Sequence, residues 1–131
     1  GVNAVELFHE EERGFMVNEI APRPHNTGHY SIEGAYTSQF ENHLRAVLDW
    51  PLGDPGNREP VAVMVNVLGQ RKGSPQPDGL PEALEVPDVA VHIYGKATVR
   101  PNRKMGHVTA TGDNPEDARQ RAEEAAELIH L

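Results

Sequence analysis

The feature that most constrains this chain is the stretch at positions 17–30, which reads VNEIAPRPHNTGHY. Apolar, strand-like residues end there at Pro22 and Pro24, whose rings fix φ and keep the preceding residues extended. Gly28 then permits a sharp turn, because glycine tolerates positive φ. Three polar side chains are therefore predicted to project from a stiff backbone: Arg23, His25 and Asn26. This pattern predicts a site for a small, polar, anionic ligand; the alternative is a proline-rich surface loop with incidental polar residues.

The residues before this stretch form a predicted β-hairpin. Positions 2–8 and 15–20 have strand patterns, and the charged residues between them predict a turn. If the tip is a two-residue turn at positions 12–13, Glu6 faces Glu19 across the hairpin. The other neighbours in this register are Leu7 with Asn18 and Val5 with Ile20.

A facing pair of Glu6 and Glu19 requires compensation. Two carboxylates roughly 5 Å apart repel by about 3 kcal/mol at an effective dielectric near 20, whereas a good cross-strand pair contributes only about 0.2–1 kcal/mol. A shared proton, the nearby Arg23 or a divalent cation could compensate, and hard oxygen ligands suit Mg²⁺. The alternative is a different register, in which both side chains lie on a solvated face of the sheet.

A second charged cluster lies at positions 96–104. Its four cations, in a chain of formal net charge -8, are Lys96, Arg100, Arg103 and Lys104. Pro101 and Asn102 predict a turn between them, so the cluster is expected at a connection between two strands. Lysine and arginine together suit a phosphate, as a point charge and a bidentate fork. The alternative is a solvated basic loop.

Several stretches resemble the N5-carboxyaminoimidazole ribonucleotide synthases, purine-pathway ligases of the ATP-grasp superfamily that are also known as the ATPase subunit of phosphoribosylaminoimidazole carboxylase. They are VNAVELF at 2–8, VNEIAPRPHNTGHY at 17–30 and TSQFENHLRAVL at 37–48. The similarity continues through Lys96 and RKMGHVT at 103–109, and so covers nearly the whole chain. One departure is Ala21, which stands where the wider superfamily commonly has an asparagine metal ligand.

This resemblance implies an α+β fold, the C-terminal part of an ATP-grasp fold with antiparallel strands and a few packed helices. It also implies the carboxylation of 5-aminoimidazole ribonucleotide with bicarbonate, through carboxyphosphate, to N5-carboxyaminoimidazole ribonucleotide. The implied cofactors are ATP and Mg²⁺. Two alternatives stay open, a sister purine-pathway ligase that uses formate and a non-catalytic binding module.

The resemblance also implies roles for the candidate site residues. The expected metal ligands are Glu6 and Glu19, and the expected nucleotide contacts are Asn18 and Glu19. The expected cradle for bicarbonate and carboxyphosphate is Arg23, His25 and Asn26. The residues expected to hold the ribotide phosphate are Lys96 and Arg103. A buried structural role is the better interpretation of His107.

Composition limits the partners and the cell compartment. The net charge of -8 argues against nucleic acid or an anionic membrane, and the lack of cysteine excludes disulfides and thiolate sites. No apolar run approaches the ~20 residues that span a bilayer, so a soluble cytoplasmic protein is expected. Because the chain begins at Gly1 without an initiator methionine, we expect the C-terminal portion of a longer enzyme, inactive as a fragment. A homodimer is left open.

The remaining patterns predict two domains. Residues 1–50 are expected to end the ATP-grasp domain with the metal and bicarbonate site, and residues 51–131 to form a small β-rich domain with a terminal helix. A capping box predicts a helix from Ser38 that ends near Trp50 and has the apolar face Phe40, Leu44, Val47 and Leu48. Further predicted elements are a central strand at 61–68, a short helix at 81–84, strands at 89–94 and 106–112, the last with alternating side chains, and a helix capped by Asn114.

Overall fold

The structure, a computed structural model, describes all residues from 1 to 131. The chain divides into two compact units, Gly1–Asn57 and Arg58–Leu131. Each contains antiparallel strands and helices, so the expected α+β class is confirmed. The functional division after residue 50 stays a prediction. None of the helices combines the length and the apolar character that crossing a membrane requires.

The first unit begins with a hairpin of β1 (Ala4–Glu10) and β2 (Gly14–Ala21), which pair antiparallel. The predicted pairs of Glu6 with Glu19 and of Val5 with Ile20 are confirmed. The predicted pair of Leu7 with Asn18 is wrong, since Leu7 faces Val17.

Two irregularities of the hairpin explain this mixed outcome. Three residues, and not the predicted two, separate the strands, and Gly14 follows them with a φ of 71° that suits glycine. The longer tip moves the register by one residue. A β-bulge then leaves Asn18 as an extra residue of β2 and restores the predicted register from Glu6 to the start of β1. The two errors in the predicted geometry therefore cancel at the pair of glutamates.

A 3-10 turn (Asn26–Gly28) and a short helix α1 (Ser31–Gly34) lead to helix α2 (Gln39–Val47). The predicted cap is confirmed, because the Ser38 hydroxyl oxygen accepts the Glu41 N–H at 3.2 Å. The reciprocal half of the capping box is wrong: the Glu41 carboxylate accepts two hydrogen bonds from the Arg45 guanidinium instead.

Helix α2 differs from its prediction at its end and on its apolar face. It ends at Val47, before the predicted Trp50, and Asp49 just beyond has a φ of 56° that cannot continue a right-handed helix. The four residues of the predicted apolar face are all exposed: Phe40, Leu44, Val47 and Leu48. The amphipathic pattern therefore predicted the helix correctly, but this unit does not cover the apolar face.

The second unit is a three-stranded antiparallel sheet with two helices. Its elements are β3 (Val61–Leu68), α3 (Leu80–Ala83), β4 (Val89–Ile93), β5 (Lys104–Gly112) and α4 (Pro115–Leu128). The strand order is β3–β5–β4. The prediction of a central position for β3 is therefore wrong, since β5 lies between the other two strands.

The position of β5 also overturns its predicted alternation of side chains. Every residue from 105 to 110 is buried, whereas the predicted alternation would leave every second side chain exposed. The alternation was predicted because His107 and Thr109 are polar residues, but the structure buries both of them.

Helix α4 packs against this sheet through small residues. Ala118, Ala122 and Ala125 are fully buried, and this allows the helix backbone to approach the strands closely. The Asn114 side chain accepts the Glu116 and Asp117 N–H groups at 2.8 and 3.2 Å, as predicted for the cap. Together with Met105 and Val108 of β5 these alanines belong to one hydrophobic core.

Candidate functional site

The bulge in β2 brings three polar side chains of the hairpin together. A bulge places two residues of one strand opposite one residue of the other, here Asn18 and Glu19 opposite Glu6. The Asn18 side-chain amide donates a hydrogen bond to Glu6 Oε1 at 2.5 Å. One of the two facing carboxylates thus has a hydrogen-bond donor from its own hairpin.

The second carboxylate has its donor in the loop that follows. His25 Nε2 lies 2.5 Å from Glu19 Oε1, and the imidazole is buried while the glutamate is exposed. On the other side of the ring, Nδ1 accepts the Thr27 N–H at 3.4 Å and lies 3.0 Å from the Thr27 hydroxyl. Because Nδ1 is an acceptor, the neutral ring carries its proton on Nε2 and donates it to Glu19.

These hydrogen bonds supply part of the compensation that the facing glutamates require. Of the three predicted options, Arg23 does not provide it, because its guanidinium donates to the Pro24 carbonyl oxygen at 3.0 Å. The amide of Asn18 and the imidazole of His25 each donate to one glutamate, and a shared proton or a divalent cation stays the prediction for the remaining repulsion. Neither contact follows from the sequence pattern, because the first depends on the bulge and the second on a turn after two prolines.

The resulting group fits a divalent cation. One ligand atom each from Glu6, Glu19 and His25 lies within 4.8 Å of the others. Two carboxylates suit a hard cation such as Mg²⁺. With its Nε2 proton directed at Glu19, His25 is arranged to orient a ligating carboxylate and not to bind the ion itself. The roles of these residues as metal ligands stay predictions.

Arg23 and Asn26, the other members of the predicted anion cradle, lie on either side of His25. Arg23 is exposed between Pro22 and Pro24, as the sequence predicts. Asn26 begins the 3-10 turn, where its carbonyl oxygen accepts the His29 N–H at 3.1 Å. The predicted presentation of an exposed guanidinium between two prolines is therefore present, and the anion itself stays a prediction.

The basic cluster of the second unit lies in the connection from β4 to β5. The predicted turn is confirmed, with Asn102 at a φ of 62°. Lys96 Nζ donates to the Lys104 carbonyl oxygen at 2.5 Å and lies 5.4 Å from the centre of the Tyr94 ring. Arg103 Nη1 donates to the Thr98 carbonyl and hydroxyl oxygens at 2.9 and 3.0 Å.

Electrostatics show that these cations are close enough to act on one another. Partial burial lowers the pKa of Lys96 below its ordinary value of 10.5, and the positive charges of Arg103 and Lys104 lower that pKa further. Mutual repulsion of this kind is relieved by an anion, so the cluster suits a phosphate. The shared phosphate stays a prediction.

His107 is buried, as expected for a structural histidine. Its side chain is 2% exposed, its ring stacks on that of His92 with centroids 4.5 Å apart, and its Nδ1 lies 2.9 Å from the Tyr94 hydroxyl oxygen.

Comparison with known protein families agrees with both units. Residues 1–40 match the ATP-grasp domain, and residues 62–121 match the phosphoribosylaminoimidazole carboxylase C-terminal domain. The chain is 51% identical to the N5-carboxyaminoimidazole ribonucleotide synthase of Mycobacterium tuberculosis over 98% of its own length and 30% of that protein. It is 46% identical to the chloroplastic phosphoribosylaminoimidazole carboxylase of Vigna aconitifolia, over 87% of this chain and 21% of that protein.

Solved structures show the same relationship. The N5-carboxyaminoimidazole ribonucleotide synthetase of Thermotoga maritima matches with a TM-score of 0.87 and 45% identity, over 98% of this chain and 36% of that one. The synthase of Aspergillus clavatus, in complex with ADP and 5-aminoimidazole ribonucleotide, matches with a TM-score of 0.81 and 39% identity, over 98% of this chain and 34% of that one. The chain thus spans about a third of the length of the first curated relatives it matches. It belongs to the N5-carboxyaminoimidazole ribonucleotide synthase family of ATP-grasp proteins, of which it matches the C-terminal portion.

Proposed function

We propose that the longer protein carrying this chain is an ATP-dependent ligase that carboxylates 5-aminoimidazole ribonucleotide with bicarbonate. The products are N5-carboxyaminoimidazole ribonucleotide, ADP and phosphate, formed through carboxyphosphate. The observation that carries the proposal is the facing pair of Glu6 and Glu19, each of which has its own hydrogen-bond partner. The pair lies in a chain that is similar to these synthases in both of its units. ATP is the proposed nucleotide, and homologous synthases have been solved with ATP and with ADP.

The hairpin would hold the nucleotide and its metal. Glu6 and Glu19 are the proposed ligands of Mg²⁺, and Asn18 with Glu19 would contact the nucleotide. A bound Mg²⁺ would neutralise charge between the β- and γ-phosphates. Asn18 and His25 orient the two glutamates by donating to one oxygen of each.

The loop after the hairpin would receive bicarbonate. Bicarbonate is a poor electrophile, so its activation requires fixed positive groups around the oxygens that gain charge. Arg23 is exposed, lies two residues before His25 in the loop that follows the hairpin, and is the proposed cationic contact of bicarbonate and carboxyphosphate. Asn26 would complete this cradle, and His25 would serve it chiefly through Glu19.

The basic cluster of the second unit would hold the ribotide. Lys96 and Arg103 are the proposed phosphate contacts, because they repel each other in the absence of an anion. The comparisons favour this reaction over the formate-using alternative, since residues 62–121 match a domain of the carboxylase itself. A cytoplasmic location and a homodimer stay predictions.

A pair of variants of the longer protein tests this division of roles. Arg103→Ala should raise the KM for the ribotide roughly 10- to 100-fold, since a charge-assisted hydrogen bond contributes about 1.5–3 kcal/mol. Arg23→Ala should impair bicarbonate use by a similar factor and leave the ribotide KM nearly unchanged. Initial rates with each substrate varied in turn make the measurement.

Two other arginines serve as matched controls. Arg119→Ala removes an exposed charge from α4, in the same unit as Arg103, and Arg13→Ala removes one from the hairpin tip. Neither should change either KM. If Arg23→Ala raised only the ribotide KM, the bicarbonate role would be withdrawn. If the unaltered protein used formate, or showed no ribotide-dependent turnover, the proposed reaction would be wrong.

A further inference from the structure

Gln39, the first residue of α2, binds both main-chain groups of His25. Its Oε1 accepts the His25 N–H at 2.9 Å, and its Nε2 donates to the His25 carbonyl oxygen at 2.7 Å. A single carboxamide thus satisfies the donor and the acceptor of a buried residue that lies outside any strand or helix. The side chain of Gln39 thus holds the His25 backbone at both groups, and the His25 carbonyl oxygen also accepts the Gly28 N–H at 3.0 Å.

Neighbouring groups hold Gln39 in turn. Its main-chain N–H donates to Ser31 Oγ at 2.9 Å, and that hydroxyl donates to the Gly28 carbonyl oxygen at 2.5 Å. A Cβ atom at residue 28 would lie only 2.6 Å from Gln39 Oε1 and 2.7 Å from its Cδ. The carboxamide therefore occupies its place because residue 28 has no side chain.

We propose that Gln39 is a positioning residue that fixes the His25 imidazole against Glu19. The contacts form one continuous path: Gln39 holds the backbone of His25, Thr27 holds Nδ1, and the proton on Nε2 is directed at Glu19. The side chain of Glu19 then keeps one orientation before any ligand binds. The catalytic part of this inference rests on the proposed function, whereas the structural part does not.

The same helix contains a matched control for this role. Asn42 Oδ1 accepts the Gly53 N–H at 2.9 Å, and Asn42 Nδ2 donates to the Gly53 carbonyl oxygen at 3.2 Å. This is the same two-bond arrangement of a carboxamide with one residue's main chain, made to a connector that carries no candidate site residue. Asn42→Ala therefore removes equivalent hydrogen bonds without affecting His25.

The experiment compares Gln39→Ala with Asn42→Ala in the longer protein. The first readout is the ¹⁵N NMR spectrum of histidine-labelled protein, in which His25 should show a protonated Nε2 and an acceptor Nδ1. In Gln39→Ala the two nitrogens should move towards averaged tautomers, and in Asn42→Ala they should not. The second readout is kcat at saturating ribotide, which Gln39→Ala should lower by roughly 10-fold or more with the ribotide KM unchanged.

Two further variants keep the test decisive. Gln39→Met retains the volume of the side chain but neither hydrogen bond, and it should move the His25 nitrogens towards averaged tautomers in a folded protein even if the alanine variant is poorly folded. Gly28→Ala should displace the carboxamide and give the same spectrum, and its effect should not add to that of Gln39→Met.

Each outcome has one meaning. An unchanged His25 spectrum in Gln39→Met, or an equal change in Asn42→Ala, would overturn the positioning role. A changed spectrum and unchanged kcat in an active ligase would overturn its catalytic part. A changed spectrum in a protein without the ligase activity would contradict the proposed function and leave the structural role of Gln39 supported.

Discussion

The two units of the chain bury very different residues. The second unit, Arg58–Leu131, encloses a core of valine, alanine, isoleucine, leucine and methionine side chains between a sheet and α4. In the first unit, Gly1–Asn57, the only buried apolar residues are Ala21 and Ala35, and the other buried side chains are polar: His25, Ser31 and Thr37. The chemistry-bearing loop therefore lies in the unit that has almost no apolar core.

The large apolar side chains of the first unit lie mostly at its surface. They are Val5, Leu7, Phe8, Phe15, Val17, Ile20, Tyr30, Tyr36, Phe40, Leu44, Val47, Leu48, Trp50 and Leu52. Burial of apolar area is the main favourable contribution to folding, at about 25 cal/mol per Å². Hydrogen bonds such as those of Gln39 and Asn42 specify the conformation of this unit but add only about 0.5–1.5 kcal/mol each. The comparison indicates that the first unit specifies a site, whereas the second supplies stability.

Separating the two units should have the largest effect. As an isolated segment, Arg58–Leu131 should unfold in one cooperative transition, because it keeps its core. Gly1–Asn57 alone should remain largely unfolded, because two buried alanines cannot offset the conformational entropy of 57 residues. Thermal unfolding followed by circular dichroism, with NMR amide dispersion, makes the measurement, and the intact chain is the control. A cooperatively folded Gly1–Asn57 would contradict the comparison.

Truncating one side chain should lower the free energy of unfolding when the side chain lies in the core of the second unit, and barely change it when the side chain lies in the first unit. Met105 is 1% exposed in the core of the second unit, and Met105→Ala should lower the free energy of unfolding by about 2–5 kcal/mol. Phe15 is 74% exposed on the hairpin, and Phe15→Ala should change it by less than about 0.5 kcal/mol. Urea unfolding of the intact chain measures both. A larger loss from Phe15→Ala would show that this face is covered in solution.

The sequence predicted the polar half of the first unit better than its exact geometry. The pairing of Glu6 with Glu19 was correct although the turn and one neighbouring pair were not, because the longer tip and the bulge at Asn18 cancel. Alternation of side chains does not reveal a bulge, since a bulge is one extra residue with no composition of its own. The facing pair of Glu6 and Glu19 was therefore predictable, whereas the hydrogen bond from Asn18 to Glu6 was not.

The order of strands in the second unit and the contacts of Gln39 could not be predicted from the sequence, for different reasons. The central strand was misassigned because β3 is apolar except at Asn66, whereas β5 carries a buried histidine and threonine. Strand order depends on pairing that a local pattern does not contain. Gln39 lies 14 residues from His25, and its role depends on the space left at Gly28. A capping box predicted the helix at that point but could not predict what its first side chain binds.

Removing the cap of one helix in each unit should give the smallest change in the free energy of unfolding. It should also show whether each helix unfolds with the core or opens locally. Asn114 accepts two N–H groups at the start of α4, and Asn114→Ala should lower the free energy of unfolding by about 1 kcal/mol, because α4 covers the core and unfolds with it. Ser38 accepts one N–H at 3.2 Å at the start of the exposed helix α2. Ser38→Ala should instead accelerate hydrogen exchange of the α2 amides and leave the second unit's transition unchanged, since a helix with little buried apolar surface opens locally.

Denaturant unfolding and amide exchange on the same two variants provide the measurement, with Ser74→Ala in the exposed loop after β3 as the control. If Ser38→Ala lowered the global stability as much as Asn114→Ala, the two units would unfold together and the difference between them would concern composition only.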